Sequence, residues 1–169
     1  DASDPLGKFR DEFVIDDPKQ CYLDGNSLGR LPKATIQTVN DFMKNEWGKE
    51  VVAGWTHWVD EAQTVGDLLG RAALGAAAGQ VLVCDTTSIN FYQLALAAIQ
   101  ARPGRKTIIV DAANFPTDRY ILQGIARQFG LNLVTIDNEP GEAKHERITP
   151  EILEKYLNDD VALVTLEVI

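Results

Sequence analysis

Four short apolar segments alternate with helical patterns through the second half of the chain. They are residues 81–84, 107–110, 133–136 and 161–166. Strands this apolar are typical of a parallel sheet, because the helices that connect parallel strands cover both of its faces. The alternation therefore predicts an α/β fold with a mostly parallel sheet and helices on both faces.

Helical periodicity fills the segments between and before these strands. Helices are predicted over residues 32–47, 60–74, 89–101, 117–129 and 149–157, with a short helix near Phe9 and Phe13 and a short strand at 21–23. Residues 48–58 break the periodicity and are predicted to form a loop rich in side chains that can bind a ligand. Gly66 and Gly70 would let another element approach the second helix closely. An irregular acidic stretch covers residues 137–147.

Two turns are expected at the carboxyl edge of the sheet, where α/β proteins bind their ligands. One covers residues 85–88 and the other covers residues 111–118. Thr87 and Ser88 stand at the start of the helix after the first turn, where unpaired backbone N–H groups and the positive end of the helix dipole favour an anion. The local sequence leaves two readings open: one of these hydroxyls only caps the helix, or the helix start also binds an anion.

Charge and cysteine content limit the partners of the chain. The formal net charge is −9 at pH 7, whereas nucleic-acid surfaces and membrane-binding patches are basic. No apolar run is long enough to span a bilayer, and the acidic first residues do not resemble a secretion signal. Cys21 and Cys84 are isolated, which predicts reduced thiols in the cytoplasm, with Cys84 in a buried strand. With two histidines and no cysteine cluster, no metal site is expected.

Three common motifs of α/β enzymes do not occur in this sequence. There is no G-x-x-x-x-G-K-[ST] loop and no G-x-G-x-x-G after a strand, which disfavours the P-loop and dinucleotide-binding classes. Ser27 and Ser88 do not lie in a G-x-S-x-G turn, which disfavours an α/β-hydrolase.

Three other motifs, taken together, resemble one family. They are YLDGNSLG at residues 22–29, DTTSIN at residues 85–90 and NFPTD at residues 114–118. In this order and spacing they resemble kynureninase, a pyridoxal 5′-phosphate (PLP) enzyme of the aspartate-aminotransferase fold, over essentially the whole chain. The resemblance implies hydrolysis of L-kynurenine or 3-hydroxykynurenine to anthranilate or 3-hydroxyanthranilate and L-alanine. It also implies a cytoplasmic homodimer that acts in tryptophan catabolism and NAD biosynthesis.

The resemblance further implies a cofactor-binding set at the carboxyl edge of the sheet. Its members are Thr87, Ser88, Phe115, Pro116, Thr117, Asp118 and Thr165. Thr87 and Ser88 would bind the PLP phosphate, Phe115 would stack on the pyridine ring, and Thr165 would lie on the phosphate side. Asn26 and Ser27 would lie near the substrate. From the residues alone, the favoured reading of Phe115 is a core aromatic, and that of Asp118 is a first-turn partner of the helix dipole.

The implied chemistry also needs groups that this sequence does not show. None of its eight lysines follows the serine–tyrosine pair that precedes the Schiff-base lysine in the family, so no catalytic residue is assigned here. That lysine, and the aspartate that pairs with the pyridinium nitrogen, are expected beyond Ile169. The chain is therefore expected to be an N-terminal portion. Residues 1–59 would form an arm, loop and helix, and residues 60–169 the first part of the large PLP-binding domain.

Two alternative functions remain open from the sequence. One is a sibling PLP enzyme similar to a cysteine desulfurase or selenocysteine lyase. The other is a non-catalytic domain that binds a phosphorylated ligand. The motif at residues 115–118 favours the kynureninase reading.

Overall fold

The computed structural model describes residues 3–137 and 148–167. The chain divides into two compact units, Asp1–Val83 and Cys84–Ile169. The described α-helices and β-strands are α1 (Lys33–Asp41), α2 (Gly48–Glu50), α3 (Trp55–Leu69), α4 (Thr87–Gln100), β1 (Thr107–Asp111), α5 (Pro116–Phe129), β2 (Asn132–Ile136), α6 (Pro150–Glu154) and β3 (Val161–Thr165).

The second unit contains the sheet. Its three strands are all parallel, in the order β2-β1-β3. Thr107 pairs with Asn132 on one side and with Val161 on the other, and the register with β3 shifts by one residue after Thr107. The predicted parallel α/β class is confirmed for this unit.

Helices cover both faces of this sheet. Ile108 and Val110 of β1 pack in a cluster with Ala95 and Ile99 of α4 and with Leu122 of α5, all of them buried. The intervening residue Ile109 points to the other face, and its cluster includes side chains of α6. Because successive strand residues face opposite sides, one short apolar strand contributes to both clusters. Burying each of the isoleucine, leucine and valine side chains stabilises the fold by about 1.5–3 kcal/mol before conformational entropy is subtracted.

The helix ends in this unit follow their sequence signals. Gly130 ends α5 in the left-handed region with φ of 64°, where glycine carries no side-chain penalty. Thr149 caps α6 by accepting a hydrogen bond from the N–H of Ile152, and Pro150 takes the first helical position. The helix ends at Glu154, three residues before the predicted end.

The secondary-structure elements described in the first unit are all helical, and one isolated antiparallel bridge joins Phe13 and Pro32. A 3₁₀-helix covers Gly7–Glu12, α1 continues into a π-helix at Phe42–Trp47, and α3 continues into another at Gly70–Leu74. The predicted loop at residues 48–58 was wrong, because this segment forms α2, a 3₁₀ turn at Val51–Gly54 and the first turn of α3. The predicted strand at residues 21–23 was also wrong, since these residues have no ladder partner.

The apolar segment at residues 81–84 does not join the sheet, which corrects the prediction of a first strand. Instead it lies along α3, where the N–H of Val83 donates to the carbonyl of Ala62 and Gln63 donates to the carbonyl of Val81. Gly66 makes this approach possible, because a Cβ there would lie 2.1 Å from the Val81 oxygen. The predicted close approach at this glycine is confirmed, and Cys84 is exposed rather than buried in a strand.

Two further findings concern single stretches. The predicted irregular stretch at residues 137–147 lies, apart from Asp137, outside the described residues. Within the described ranges, no helix combines the length and apolar character required to cross a membrane.

Candidate functional site

Helix α4 begins with three consecutive hydroxyl residues, and only the first of them caps it. Thr86 has extended backbone geometry, and its Oγ1 accepts a hydrogen bond from the N–H of Ile89 at 3.3 Å. Its carbonyl accepts from the N–H of Asn90 at 2.9 Å. Thr87 and Ser88 therefore occupy the first two helical positions. Their hydroxyls are not needed for capping and stand at the positive end of a 14-residue helix.

The turn before α4 is closed by a side chain from inside the helix. Asn90 Nδ2 donates to the carbonyl of Cys84 at 2.8 Å, and the Cys84 thiol donates to Asn90 Oδ1 at 3.4 Å. Between them Asp85 adopts a positive φ of 45°. Residues other than glycine rarely hold this conformation without surrounding contacts that enforce it.

Helix α5 begins directly after the loop that leaves β1. Phe115 is its N-cap residue, and the carbonyl of Phe115 accepts from the N–H groups of Asp118 and Arg119. Pro116 occupies the first turn and Asp118 places a carboxylate there. Phe115 is 58% exposed, so the reading of Phe115 as a core aromatic does not fit the described structure. Its exposed face is accessible to a planar ligand.

The ends of β1 and β3 contribute buried polar groups at the same edge. Asp111 is 4% exposed, and its Oδ2 accepts a hydrogen bond from the backbone N–H of Glu167 at 2.7 Å. Thr165 is opposite Val110 in the register, so its side chain points to the face covered by α4 and α5.

Three buried side-chain atoms have no hydrogen-bond partner among the described residues. They are Asp111 Oδ1, Thr165 Oγ1 and Arg119 Nε. Two lie at strand ends on the carboxyl edge, and the third lies in the first turn of α5. Buried polar groups in folded proteins almost always have a hydrogen-bond partner. The three unpaired atoms therefore indicate that a further polar group binds at this edge.

The predicted set at the carboxyl edge is distributed over three elements of the second unit. Thr87 and Ser88 begin α4, residues 115–118 begin α5, and Thr165 ends β3. Helix α4 ends just before β1 begins, so its first turn points toward the carboxyl edge, where α5 also begins. The topology thus brings these residues to one edge of one sheet.

The predicted substrate pair lies in the first unit. Asn26 and Ser27 are exposed in a turn, and Ser27 Oγ donates to Asp24 Oδ1 at 2.8 Å. The Tyr22 hydroxyl hydrogen bonds the carbonyls of Asp24 and Leu28 and braces this turn from within. The Asn26 and Ser27 assignment stays a prediction.

A second polar group in the first unit lies where the loop at residues 48–58 was expected. His57 Nε2 is 2.8 Å from Glu50 Oε2, and this hydrogen bond raises the pKa of His57 from its ordinary value. Trp58 donates from Nε1 to Glu46 and packs on Phe42. These contacts connect neighbouring helical turns of the first unit.

Sequence reasoning missed three of the groups described above. Asp111 carried a usable signal, because a carboxylate directly after a buried apolar strand marks the ligand-binding edge. Asn90 lies in the DTTSIN motif, from which the sequence predicted no role for it. Arg119 carried no signal, since an arginine in a first turn is ordinarily a surface residue.

An α/β unit with helix starts, strand ends and unpartnered buried polar atoms at the carboxyl edge of a parallel sheet is typical of domains that bind an anionic small molecule. No family model matches the chain. Comparison with curated proteins finds kynureninases. The chain is 40% identical to a kynureninase of Deinococcus radiodurans over 159 residues, which is 90% of this chain and 38% of that protein.

Two further kynureninases show the same relation. The chain is 34% identical to one from Pseudomonas fluorescens, over 98% of this chain and 39% of that protein. It is 39% identical to one from Burkholderia pseudomallei, over 76% of this chain and 32% of that protein. The resemblance to the kynureninase family is thereby confirmed, and the chain spans 32–39% of the length of these relatives.

Proposed function

We propose that this chain provides the phosphate-binding and ring-binding part of a PLP-dependent hydrolase that cleaves kynurenine or 3-hydroxykynurenine. The observation that carries the proposal is the 34% identity to a kynureninase along 98% of the chain, a span that includes both helix starts at the carboxyl edge. The fold of the complete protein would be of the PLP-dependent transferase type, of which the described sheet is one part.

The residues at the carboxyl edge fit a phosphate ester attached to a flat ring. Thr87 and Ser88 offer hydroxyl donors and the first N–H groups of α4, and Thr165 adds a buried hydroxyl without a partner among the described residues. Phe115 offers an exposed aromatic face for the ring. Pro116 and Thr117 shape the first turn of α5, from which Asp118 presents its carboxylate.

PLP, when bound, supplies an electron sink for breaking bonds at the substrate α-carbon. The start of α4 would hold the phosphate, because the helix dipole neutralises part of its charge. The exposed face of Phe115 would orient the plane of the ring. Asn26 and Ser27 are proposed to contact the substrate. The amine that reacts with PLP would come from another part of the complete protein.

The remaining assignments belong to the same proposal. We retain residues 1–59 as an arm, loop and helix and residues 60–169 as the first part of the large domain. The complete protein would be a homodimer in the cytoplasm, acting in tryptophan catabolism and NAD biosynthesis. The two unbridged, exposed cysteines support a reducing compartment.

A binding experiment tests the cofactor assignment on this chain directly. Pyridoxine 5′-phosphate carries the ring and the phosphate but no aldehyde, so it cannot react with lysines. We expect calorimetry to show binding of this probe and at least about tenfold weaker binding of pyridoxine, because the phosphate forms charge-assisted hydrogen bonds. Equal affinity for both would contradict a phosphate site at α4.

Substitutions at the two helix starts sharpen this test. Ser88→Ala should weaken binding of pyridoxine 5′-phosphate but not of pyridoxine, whereas Phe115→Ala should weaken both, because the ring is common to them. Leu94→Ala, on the exposed side of α4, is the control.

The substrate assignment is tested on the complete protein. Release of anthranilate from L-kynurenine, followed by fluorescence, should require added PLP. The curated matches do not favour the desulfurase-like or non-catalytic alternatives. Release of sulfide from cysteine, with no anthranilate from kynurenine, would replace the proposal with the desulfurase-like one.

A further inference from the structure

Asn90 contacts both sides of the turn that precedes α4, one with its side-chain amide and the other with its backbone N–H. Its Nδ2 donates to the Cys84 carbonyl at 2.8 Å, and its Oδ1 accepts from the Cys84 thiol at 3.4 Å. The backbone N–H of Asn90 donates to the Thr86 carbonyl at 2.9 Å. A single residue in the first turn of the helix thus contacts the chain both before and after Asp85.

This turn needs an external constraint. Asp85 has φ of 45°, a conformation that residues other than glycine rarely adopt, although aspartate adopts it more readily than most. The hydrogen bonds of Asn90 help to hold this conformation, because they lose their geometry if Asp85 relaxes. Without them, the path of the chain into α4 would be less restricted.

Thr87 and Ser88 lie inside the loop that this amide closes. The N–H of Ile89 is taken by Thr86 Oγ1 and the N–H of Asn90 by the Thr86 carbonyl. The N–H groups of Thr87 and Ser88 have no partner among the described residues. These two free donors lie within the loop that the contact between Cys84 and Asn90 closes. Donors fixed before binding cost less conformational entropy when they bind.

We propose that Asn90 is a positioning residue that preorganises Thr87 and Ser88 for a phosphate ester by closing the turn at Cys84 and Asp85. The inference rests on the proposed function, because it assigns Asn90 a task at the site where PLP would bind. Asn90 itself need not contact the ligand. Its contribution should appear as ligand affinity and as the reactivity of the Cys84 thiol.

Two substitutions separate this role from simple helix stability. Asn90→Ala removes both hydrogen bonds to Cys84. Asn90→Asp keeps an acceptor for the thiol but sets a carboxylate oxygen against the Cys84 carbonyl, while its negative charge in the first turn stabilises the helix itself. Gln93→Ala removes an exposed amide from the same helix and is the matched control.

The experiment uses the full chain with Cys21→Ser, so that Cys84 is the single thiol. Affinity for pyridoxine 5′-phosphate is measured by calorimetry, thermal unfolding by circular dichroism, and Cys84 alkylation with iodoacetamide by mass spectrometry. We expect Asn90→Ala and Asn90→Asp each to weaken binding about fivefold to tenfold relative to Gln93→Ala. Asn90→Ala should also increase the Cys84 alkylation rate several-fold, because the thiol loses its acceptor.

The outcomes distinguish the two proposals. A parent chain that does not bind pyridoxine 5′-phosphate overturns the proposed function and this inference together. A parent that binds, with both Asn90 variants within about twofold of Gln93→Ala, overturns the positioning role alone. Should Asn90→Ala fail to fold, Asn90→Leu decides, because it removes the hydrogen bonds to Cys84 without adding a charge that repels phosphate. Weak binding at a parental melting temperature then supports the role, and parental binding overturns it.

Discussion

The two units of this chain differ in how they bury their apolar side chains. Every buried apolar side chain among the described residues lies in the second unit, from Ala95 to Val161. In the first unit the buried positions of the described chain are three glycines, Gly54, Gly66 and Gly70. Meanwhile large apolar side chains such as Trp55, at 64% exposure, face outward there.

This difference shows that similar periodicity can lead to different stability. Both units contain amphipathic helices, but only the second has a sheet whose two faces give those helices an apolar surface to cover. Helices without such a partner derive little stability from burial and depend on local hydrogen bonds and close backbone approach. The predictions below test that contrast.

The largest expected effect is in the core of the second unit. Leu122 is fully buried on α5 against β1, so Leu122→Ala should reduce the free energy of unfolding by about 2–5 kcal/mol. Leu68 on α3 is 56% exposed, and Leu68→Ala should cost less than about 1 kcal/mol. Urea unfolding followed by circular dichroism measures both. Equal losses would show that the first unit has a core of its own.

The next effect concerns the close approach that the first unit uses in place of a core. Gly66→Ala would put a Cβ 2.1 Å from the Val81 oxygen. We expect a loss of about 1–3 kcal/mol, because the backbone at Val81 must shift. The fluorescence of the three tryptophans, all in the first unit, reports this change.

Gly124→Ala in α5 is the matched substitution in the second unit. A Cβ there meets nothing within 4 Å, so the higher helix propensity of alanine should raise stability by up to about 1 kcal/mol. If Gly66→Ala and Gly124→Ala changed the free energy of unfolding in the same direction, the packing described for α3 would be contradicted.

A smaller effect should distinguish the three hydroxyls at the start of α4. Thr86→Ala removes the cap on the Ile89 N–H and should cost about 1 kcal/mol. Thr87→Ala should leave the melting temperature nearly unchanged while weakening binding of pyridoxine 5′-phosphate. A larger loss of stability for Thr87→Ala would mean that Thr87 is the cap and would remove it from the proposed phosphate site.

The smallest effect is the pH dependence of the first unit. The N–H of Gly79 and then the amide of Gln63 lower the pKa of Asp67 below its ordinary value. A lowered folded-state pKa means that this stabilisation is present above the unfolded pKa, about 3.9. It is lost as the pH falls through the folded value. Asp67→Asn should therefore make tryptophan-detected stability less sensitive to pH below about 4.

Local signals predicted the second unit better than the first. The observed bounds of strand β1 and helix α5 agree with the predicted ones within one residue. In both elements the apolar pattern and the end signals favour the same structure that the neighbouring strands and helices stabilise. The segment at residues 81–84 has an equally apolar pattern, but it packs against α3 at Gly66 and not against another strand. Its hydrogen bonds therefore go to a helix. The apolar pattern predicted a buried strand at residues 81–84, but the contact with α3 left the segment outside the sheet.

The candidate site shows the same division. Thr87 and Ser88 were predicted from the helix start that the sequence marks, and Phe115 was predicted from the resemblance to the kynureninase family. The hydrogen bond from the N–H of Glu167 to Asp111 needed the fold, because 56 residues separate the two.

The sequence by itself determined that this chain makes a parallel α/β unit with hydroxyl and aromatic residues at two helix starts, because periodicity and capping chemistry act over a few residues. Tertiary structure alone decided that Asp111 accepts a hydrogen bond from the N–H of Glu167, that residues 81–84 bond to α3 instead of joining the sheet, and that buried polar atoms at two strand ends lack partners among the described residues. Those outcomes depend on which groups meet across the fold, and short-range sequence patterns carry no record of such meetings.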